Sequence, residues 1–332
     1  MRPAPPLFND PSSTVCRLPR RAYGNGMNAG ESDNDRPLLA LLIRLLGIAG
    51  LATMAALIKF ASERGIHLIE LLFWRQAIAI PILLVWAMLS GGVMTLATKR
   101  PKAHLARGLY GLAGMVLNFG AVVLLPLAEA TTIGFSAPIF AVILSVILLK
   151  ETIGVWRWSA VAAGFAGIIV IAQPGGGHIP LYGALVALGG AFMIALISIQ
   201  IRDLSRTEKS LVIVFWFAVT SSVCLLPVVP FVSKAHSFED WMLLLVIGLA
   251  GTFGQLGITL ALRYGQVSSV IVMDYSSIVW ATIYGWLLFA MLPPATTWLG
   301  APLIVAAGLI IAWRERIVAR NRFADQRGAA GT

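Results

Sequence analysis

Leu117-Asn-Phe-Gly-Ala-Val-Val-Leu-Leu-Pro-Leu-Ala-Glu-Ala-Thr-Thr132 and Gly254-Gln-Leu-Gly-Ile-Thr-Leu-Ala-Leu-Arg-Tyr-Gly-Gln-Val-Ser-Ser269 can be laid over one another. The correspondence runs on through Ser136-Ala-Pro-Ile-Phe140 and Tyr275-Ser-Ser277 to Trp158 and Trp298. The offset is 137 residues between Ala130 and Val267 and 140 between Trp158 and Trp298. A stretch that returns at the matching place in each half marks an internal duplication.

Outward from these stretches the chain divides into ten apolar runs: Leu38–Ala61, Leu68–Leu89, His104–Leu124, Thr131–Leu149, Trp156–Ala172, Leu181–Ile201, Leu211–Phe231, Trp241–Leu262, Val267–Leu288 and Trp298–Trp313. Most are long enough to cross about 30 Å of hydrocarbon as a helix, the fifth and tenth being short. Five spans per unit is an odd number, so the second unit enters the bilayer upside down relative to the first. The sequence therefore predicts an all-α polytopic membrane protein of ten transmembrane helices, built from two inverted five-helix repeats at 38–173 and 181–313. The composition agrees, with 58% apolar and only 12% charged residues among 332 and a mean hydropathy of +0.84. A globule of that size encloses too little volume to hide so many apolar runs.

Lys and Arg fall unevenly over the joints. With the amino terminus in the cytoplasm, 20 of the 25 lie on the inner side, including Lys99, Arg100, Lys102, Arg107, Arg157 and the basic run from Arg314 to Arg327. The outer joints hold Arg64 and Lys234, and Arg44, Lys59 and Arg75 lie in or near spans. This bias predicts both termini in the cytoplasm. The net charge of +10 is then a topology signal, and no basic face interleaved with aromatic residues remains to bind nucleic acid. The amino-terminal tail, 1–37, rich in Pro, Gly, Asn and Arg, reads as disordered, and 314–332 as a basic carboxy-terminal tail. Cys16 and Cys224 form no ligand cluster.

The run Leu125-Pro-Leu-Ala-Glu-Ala-Thr-Thr-Ile-Gly-Phe-Ser-Ala-Pro-Ile-Phe140, followed by Leu149-Lys-Glu151, Trp158 and Gly167-Ile-Ile-Val-Ile171, resembles the signature of the EamA family in the drug/metabolite transporter superfamily. Glu70 through Arg75 and Arg107-Gly-Leu-Tyr-Gly111 fit the same pattern, and the resemblance extends from Leu38 to Arg316. It implies a ten-span permease of the bacterial inner membrane, usually an exporter of amino acids or small metabolites, with the YddG-type amino acid exporters as a similar branch. The second half departs from the pattern where a Pro in the ninth span and a following Gly-Glu pair are expected. It reads Met273-Asp-Tyr-Ser-Ser-Ile-Val-Trp280 and Phe289-Ala-Met-Leu-Pro-Pro294 instead.

Polar groups within the spans are the candidates for substrate contact, since each costs a few kcal/mol in hydrocarbon unless it is enclosed. Arg75 lies about 10 Å into the second span and has the geometry to hold a carboxylate by two hydrogen bonds, or to pair with another helix. Asp274 offers a partner for an ammonium group, a proton site, or a fixed ion pair. Asn118, Gln255 and Tyr275 sit in the segments that carry the repeat. Lys59 and Glu70 are read as a possible outer gate or ion pair, Glu129 as part of the outer turn after the third span, and Glu151 as a partner for Lys150 or Arg157. Trp74, Trp280 and Trp286 are candidates for an aromatic cavity wall. Glycines three residues apart, as at Gly47/Gly50 and from Gly248 to Gly257, read chiefly as close helix packing.

No phosphate-binding loop, metal-ligand cluster or nucleophile triad is present, so the chain reads as neither an enzyme nor an ATPase and needs no cofactor. A proton or substrate gradient is the expected energy source. The partners expected are a small-molecule substrate and the lipid bilayer, with monomer and homodimer both open. Export of amino acids or related metabolites leads. Drug or hydrophobic-metabolite efflux, and a non-transporting membrane scaffold, are the alternatives.

Overall fold

Lipid offers no partner for backbone N–H and C=O groups, so a chain this apolar has to satisfy them within helices. The computed structural model describes residues 37–149, 154–173, 179–204, 207–264 and 271–330, and all regular structure among them is helical. The first half comprises α1 (Pro37–Glu63), α2 (Leu68–Ser90), α3 (Pro101–Leu124), α4 (Leu127–Gly134), α5 (Ala137–Leu149) and α6 (Val155–Ala172). The second comprises α7 (Leu181–Leu204), α8 (Ser210–Leu225), the single turn α9 (Val229–Val232), α10 (Phe238–Tyr264), α11 (Ser276–Phe289) and α12 (Ala295–Ala330). Tight turns at Val93–Leu96 and Ile271–Tyr275 precede α3 and α11.

Eight segments among the described residues are long and apolar enough to cross a membrane, with α4 and α5 counted together as Leu127–Ile147; α8 is a shorter apolar helix. Several spans differ from the sequence expectation for local reasons. The fourth begins at Leu127 because Pro126 opens the helix, which places Glu129 inside α4 and buries it, rather than in a turn. It then breaks at Phe135 and Ser136, where Pro138 cannot donate to the Gly134 carbonyl and the Ser136 hydroxyl donates to Ile133 O at 2.7 Å. The seventh stops at Leu225, not Phe231, and α12 continues past Trp313 to Ala330. The tail through Arg36, Lys150 with Glu151, and the 265–270 part of the repeat lie outside the described residues.

Packing follows the small residues. α1 lies along α10, α3 along α7, α6 along α12 and α2 along α8; α2 also meets α10, α3 meets α8, α5 meets α7, and α1 meets α11. At the α1/α10 crossing a Cβ on Gly47 would stand 2.9 Å from Ile258 N and 3.1 Å from Gly254 O, and one on Gly257 would stand 3.0 Å from Gly47 Cα. Gly167 and Gly300 bring α6 and α12 together in the same way, each facing the other's carbonyl. Between the helices lie two main apolar clusters, one around Leu125, Leu127, Ile133 and Ile304, the other around Ile58, Leu71, Leu72 and Ile247. Large apolar side chains such as Leu89, Val155, Phe231 and Leu299 point outward, the arrangement suited to lipid.

Because backbone, not a flexible side chain, opposes Gly47, a methyl group there has to push α1 and α10 apart. Gly47→Ala is expected to cost about 1–3 kcal/mol, measured as a lower thermal unfolding temperature of the detergent-solubilised chain.

Candidate functional site

Arg75 projects from α2 into the interior. Its Nε donates to Met54 Sδ at 3.0 Å, and its Nη1 donates to Met115 Sδ at 2.8 Å and to Gln76 Oε1 at 3.1 Å. The guanidinium lies over the Phe119 ring, 5.5 Å from its centroid. Gly251 of α10 leaves it room, since a Cβ there would approach Arg75 Nε to 3.2 Å. All these partners are neutral, and thioether sulfur is a weak acceptor.

Four cavities adjoin along the bundle interior. One of about 310 Å³ is bounded by Arg75, Arg107, Phe217 and Gln255. A second, of about 370 Å³, shares those four residues and extends to Met115 and Asn118. A third, of about 450 Å³, shares Asn118 with the second and reaches Thr131, Phe135, Asp274 and Ser277. The fourth, about 640 Å³, meets the first at Gln255, Ser210 and Leu83 and ends at Ser90, Glu208 and Lys209. Arg75, Asn118, Gln255 and Asp274 thus border a set of adjoining cavities. Tyr275 stands behind it, its ring 4.8 Å from that of Phe135 and its hydroxyl against Gly308 of α12.

Asp274 has a fixed partner. Arg44 of α1 grips it with both prongs, Nε to Oδ1 at 2.7 Å and Nη2 to Oδ2 at 2.6 Å, while Nη1 donates to the Ile258 carbonyl at 3.1 Å. The Arg44 side chain is 6% exposed and that of Asp274 34%. The pair ties α1, α10 and the turn before α11 into one unit.

Lys59 and Glu70 do not meet. Lys59 Nζ donates to the carbonyls of Val122, Val123 and Leu125 at 3.2, 3.4 and 2.8 Å, capping the end of α3. Glu70 Oε1 accepts from Ser233 Oγ at 2.7 Å and lies 2.6 Å from His236 Nε2. Both groups of that contact are buried, and the His236 ring abuts Trp241. Glu129 Oε1 accepts from Thr297 Oγ1 at 3.1 Å. None of the three tryptophans borders the four cavities: Trp74 packs edge-on to Trp241, Trp280 stacks on Tyr284, and Trp286 points outward.

Two residues matter more than the sequence reading allowed. Arg44 appeared there only as a charge near a span. Arg107 was counted with the inner joint, yet α3 begins at Pro101, so Arg107 lies almost two turns inside the helix and is 9% exposed. Its guanidinium stacks over Phe217 at 4.6 Å and occupies the space that a side chain on Gly111 would fill. The signal available in the sequence was the glycine one turn after the arginine.

Eight lipid-length helical segments among the described residues mark a polytopic membrane protein, and the comparisons make it a transporter. The chain belongs to the EamA-like transporter family, whose model matches residues 38–173 and 181–313. It is 30% identical over 269 residues to the pseudopaline exporter of Pseudomonas aeruginosa, covering 80% of this chain and 93% of that protein. It is 27% identical to the riboflavin transporter of Vibrio cholerae, covering 88% and 99%. A further 27% match, covering 82% and 92%, is to the S-adenosylmethionine uptake transporter of Rickettsia felis. These relatives are transporters, not enzymes. A solved chain described as "Crystal structure of protein" shares the fold at a TM-score of 0.56 and 22% identity, over 84% of this chain and 98% of the other.

Removing the Asp274 charge leaves the enclosed Arg44 without a counter-charge. Asp274→Asn is expected to lower stability by about 2 kcal/mol. Pairing Arg44→Met with Asp274→Leu is expected to recover most of that loss, because no charge is then buried alone. Thermal unfolding of the three variants completes the cycle.

Proposed function

We propose that the chain is a secondary transporter that exports amino acids or related small metabolites across the bacterial inner membrane by alternating access. In this reading ten spans form two inverted five-span units, with both termini in the cytoplasm. The observation that carries it is the set of adjoining cavities that Arg75, Asn118, Gln255 and Asp274 border. A guanidinium, two amides and a held carboxylate suit a small polar solute far better than they suit a bare apolar drug.

The helix pairings support the two-unit arrangement. Counting α4 and α5 as one span and α11 with its preceding turn as another, exchange of the two fives converts the α1/α10 contact into α7/α3. The same exchange converts α2/α10 into α8/α3 and α1/α11 into α7/α5, and leaves α2/α8 and α6/α12 in place. Two units that trade contacts in this way are suited to exposing one path to alternate sides. The cavity that ends at Ser90, Glu208 and Lys209 lies at the end the charge bias assigns to the cytoplasm, as an exporter loading from inside requires.

Counterflow in proteoliposomes over a panel of amino acids and metabolites, with and without an imposed proton gradient, tests this. Saturable exchange of at least one small polar solute is expected, reduced about tenfold or more by Arg75→Ala, which removes a charge-assisted contact. Absence of flux for every member would leave a scaffold role in its place. Flux confined to neutral hydrophobic compounds and indifferent to Arg75→Ala would support drug efflux instead. Cysteine labelling that finds the two termini on opposite faces would overturn the inverted arrangement.

A further inference from the structure

The interior of this protein holds two positive charges that nothing in the described structure balances. Neither Arg75 nor Arg107 has an ion-pair partner among the described residues. Arg75 rests on two thioethers, one amide and a phenyl ring. Arg107 lies on the Phe217 ring, and its Nε and Nη1 are enclosed with no hydrogen-bond acceptor among the described residues. The acid that borders the cavity near Asn118, Asp274, is already held by both prongs of Arg44. At the Arg107 end, Glu208 accepts from Thr98 at 2.7 Å and faces His104 at 3.8 Å.

A guanidinium buried in a membrane-length helix without a counter-ion is costly, and snorkelling to the headgroups is its usual escape. Arg107 turns the other way. Helical side chains lean toward the amino end of their helix, but this guanidinium lies against Gly111, one turn deeper from the Pro101 end of α3. It therefore points into the cavity it shares with Arg75, with Gly111 and Phe217 shaped to receive it there. Met115, which Arg75 touches, is four residues beyond Gly111, a rise of about 6 Å along α3. The two guanidiniums thus face one space of about 370 Å³ within reach of a single small molecule.

The geometry points to an organic dianion as the transported substrate, a dicarboxylate or a phosphate monoester, held between Arg75 and Arg107. This inference rests on the transporter reading above and narrows it toward small acids with a doubly charged anionic part, the two carboxylates of an acidic amino acid included. Because the ligand supplies the missing counter-charge, each guanidinium exchanges a weak neutral contact for a two-pronged ionic one. Gln255, which borders the same space, is placed to meet the remaining polar part of the molecule.

Two readouts on the purified full chain test it. Thermal unfolding in detergent reports binding, and proteoliposome counterflow reports transport; the probes are succinate, L-glutamate, glycerol phosphate, leucine and lysine. At least one dianionic probe is expected to raise the unfolding temperature and to exchange about tenfold or more faster than leucine or lysine. Succinate and L-glutamate against glycerol phosphate tell a carboxylate substrate from a phosphate one. Arg107→Gln is expected to abolish the thermal shift and reduce dianion exchange by a similar factor, and Arg107→Lys, which keeps the charge, to retain part of both. A stabilising dianion that is not transported would uphold the anion site and overturn the transporter reading. Exchange of leucine or lysine with no response to any acid would uphold transport and overturn the anion site. Dianion exchange undiminished in Arg107→Gln would also overturn it.

Discussion

A charged side chain carried on a helix that crosses hydrocarbon has to be enclosed by protein, and that constraint organises this bundle. Three solutions are visible. Arg44 is neutralised by Asp274 through two short hydrogen bonds. Lys59 is spent on the carbonyls that end α3, and Glu70 on a serine and a histidine, so these two stabilise a helix end and a loop and do not face each other. Arg75 and Arg107 take neither course. They rest on sulfur, amide and aromatic faces, which shield a cation without cancelling its charge. Two of the four cavities are bordered by both of those unneutralised groups.

Glycine decides how closely the walls of that interior stand. At Gly47, Gly254 and Gly257 the backbones of α1 and α10 touch, and Gly167 with Gly300 does the same for α6 and α12. Gly111 and Gly251 serve another purpose, because the space a side chain would fill is taken by an arginine. One residue type thus fixes helix separation in the first set and admits a buried cation in the second. Helix breaks contribute as well. The interruption between α4 and α5 and the tight turn before α11 both border the third cavity, the first through Gly134 and Phe135 and the second through Asp274. Irregular backbone at membrane depth is tolerated where it is buried or lines a cavity.

The legible part of the site was its list of polar residues, and the illegible part was their pairing. Arg75, Asn118, Gln255 and Asp274 are conspicuous in apolar runs, and all four border the same set of adjoining cavities. Lys59 and Glu70 are equally conspicuous, yet one bonds the carbonyls that end α3 and the other Ser233 and His236, since what a charge does depends on the nearest complementary group. Arg107 was obscured by a boundary: with the third span started at His104 it fell in the first turn and was counted with the inner-side charges, whereas Pro101 opens the helix earlier and carries Arg107 deeper inside. Helix ends shift by a turn on local capping, and one turn separates a headgroup anchor from a buried cation.

Sequence alone determined that this is a helical membrane protein of the EamA family, because hydrophobicity over some twenty residues and a specific motif run are properties of the chain in order. Only the tertiary structure decided that Arg44 claims Asp274, that Arg107 turns inward to join Arg75, and that α1 rests on α10. Those outcomes depend on the rotation of each helix about its axis and on partners that lie on other helices, and a linear pattern encodes neither.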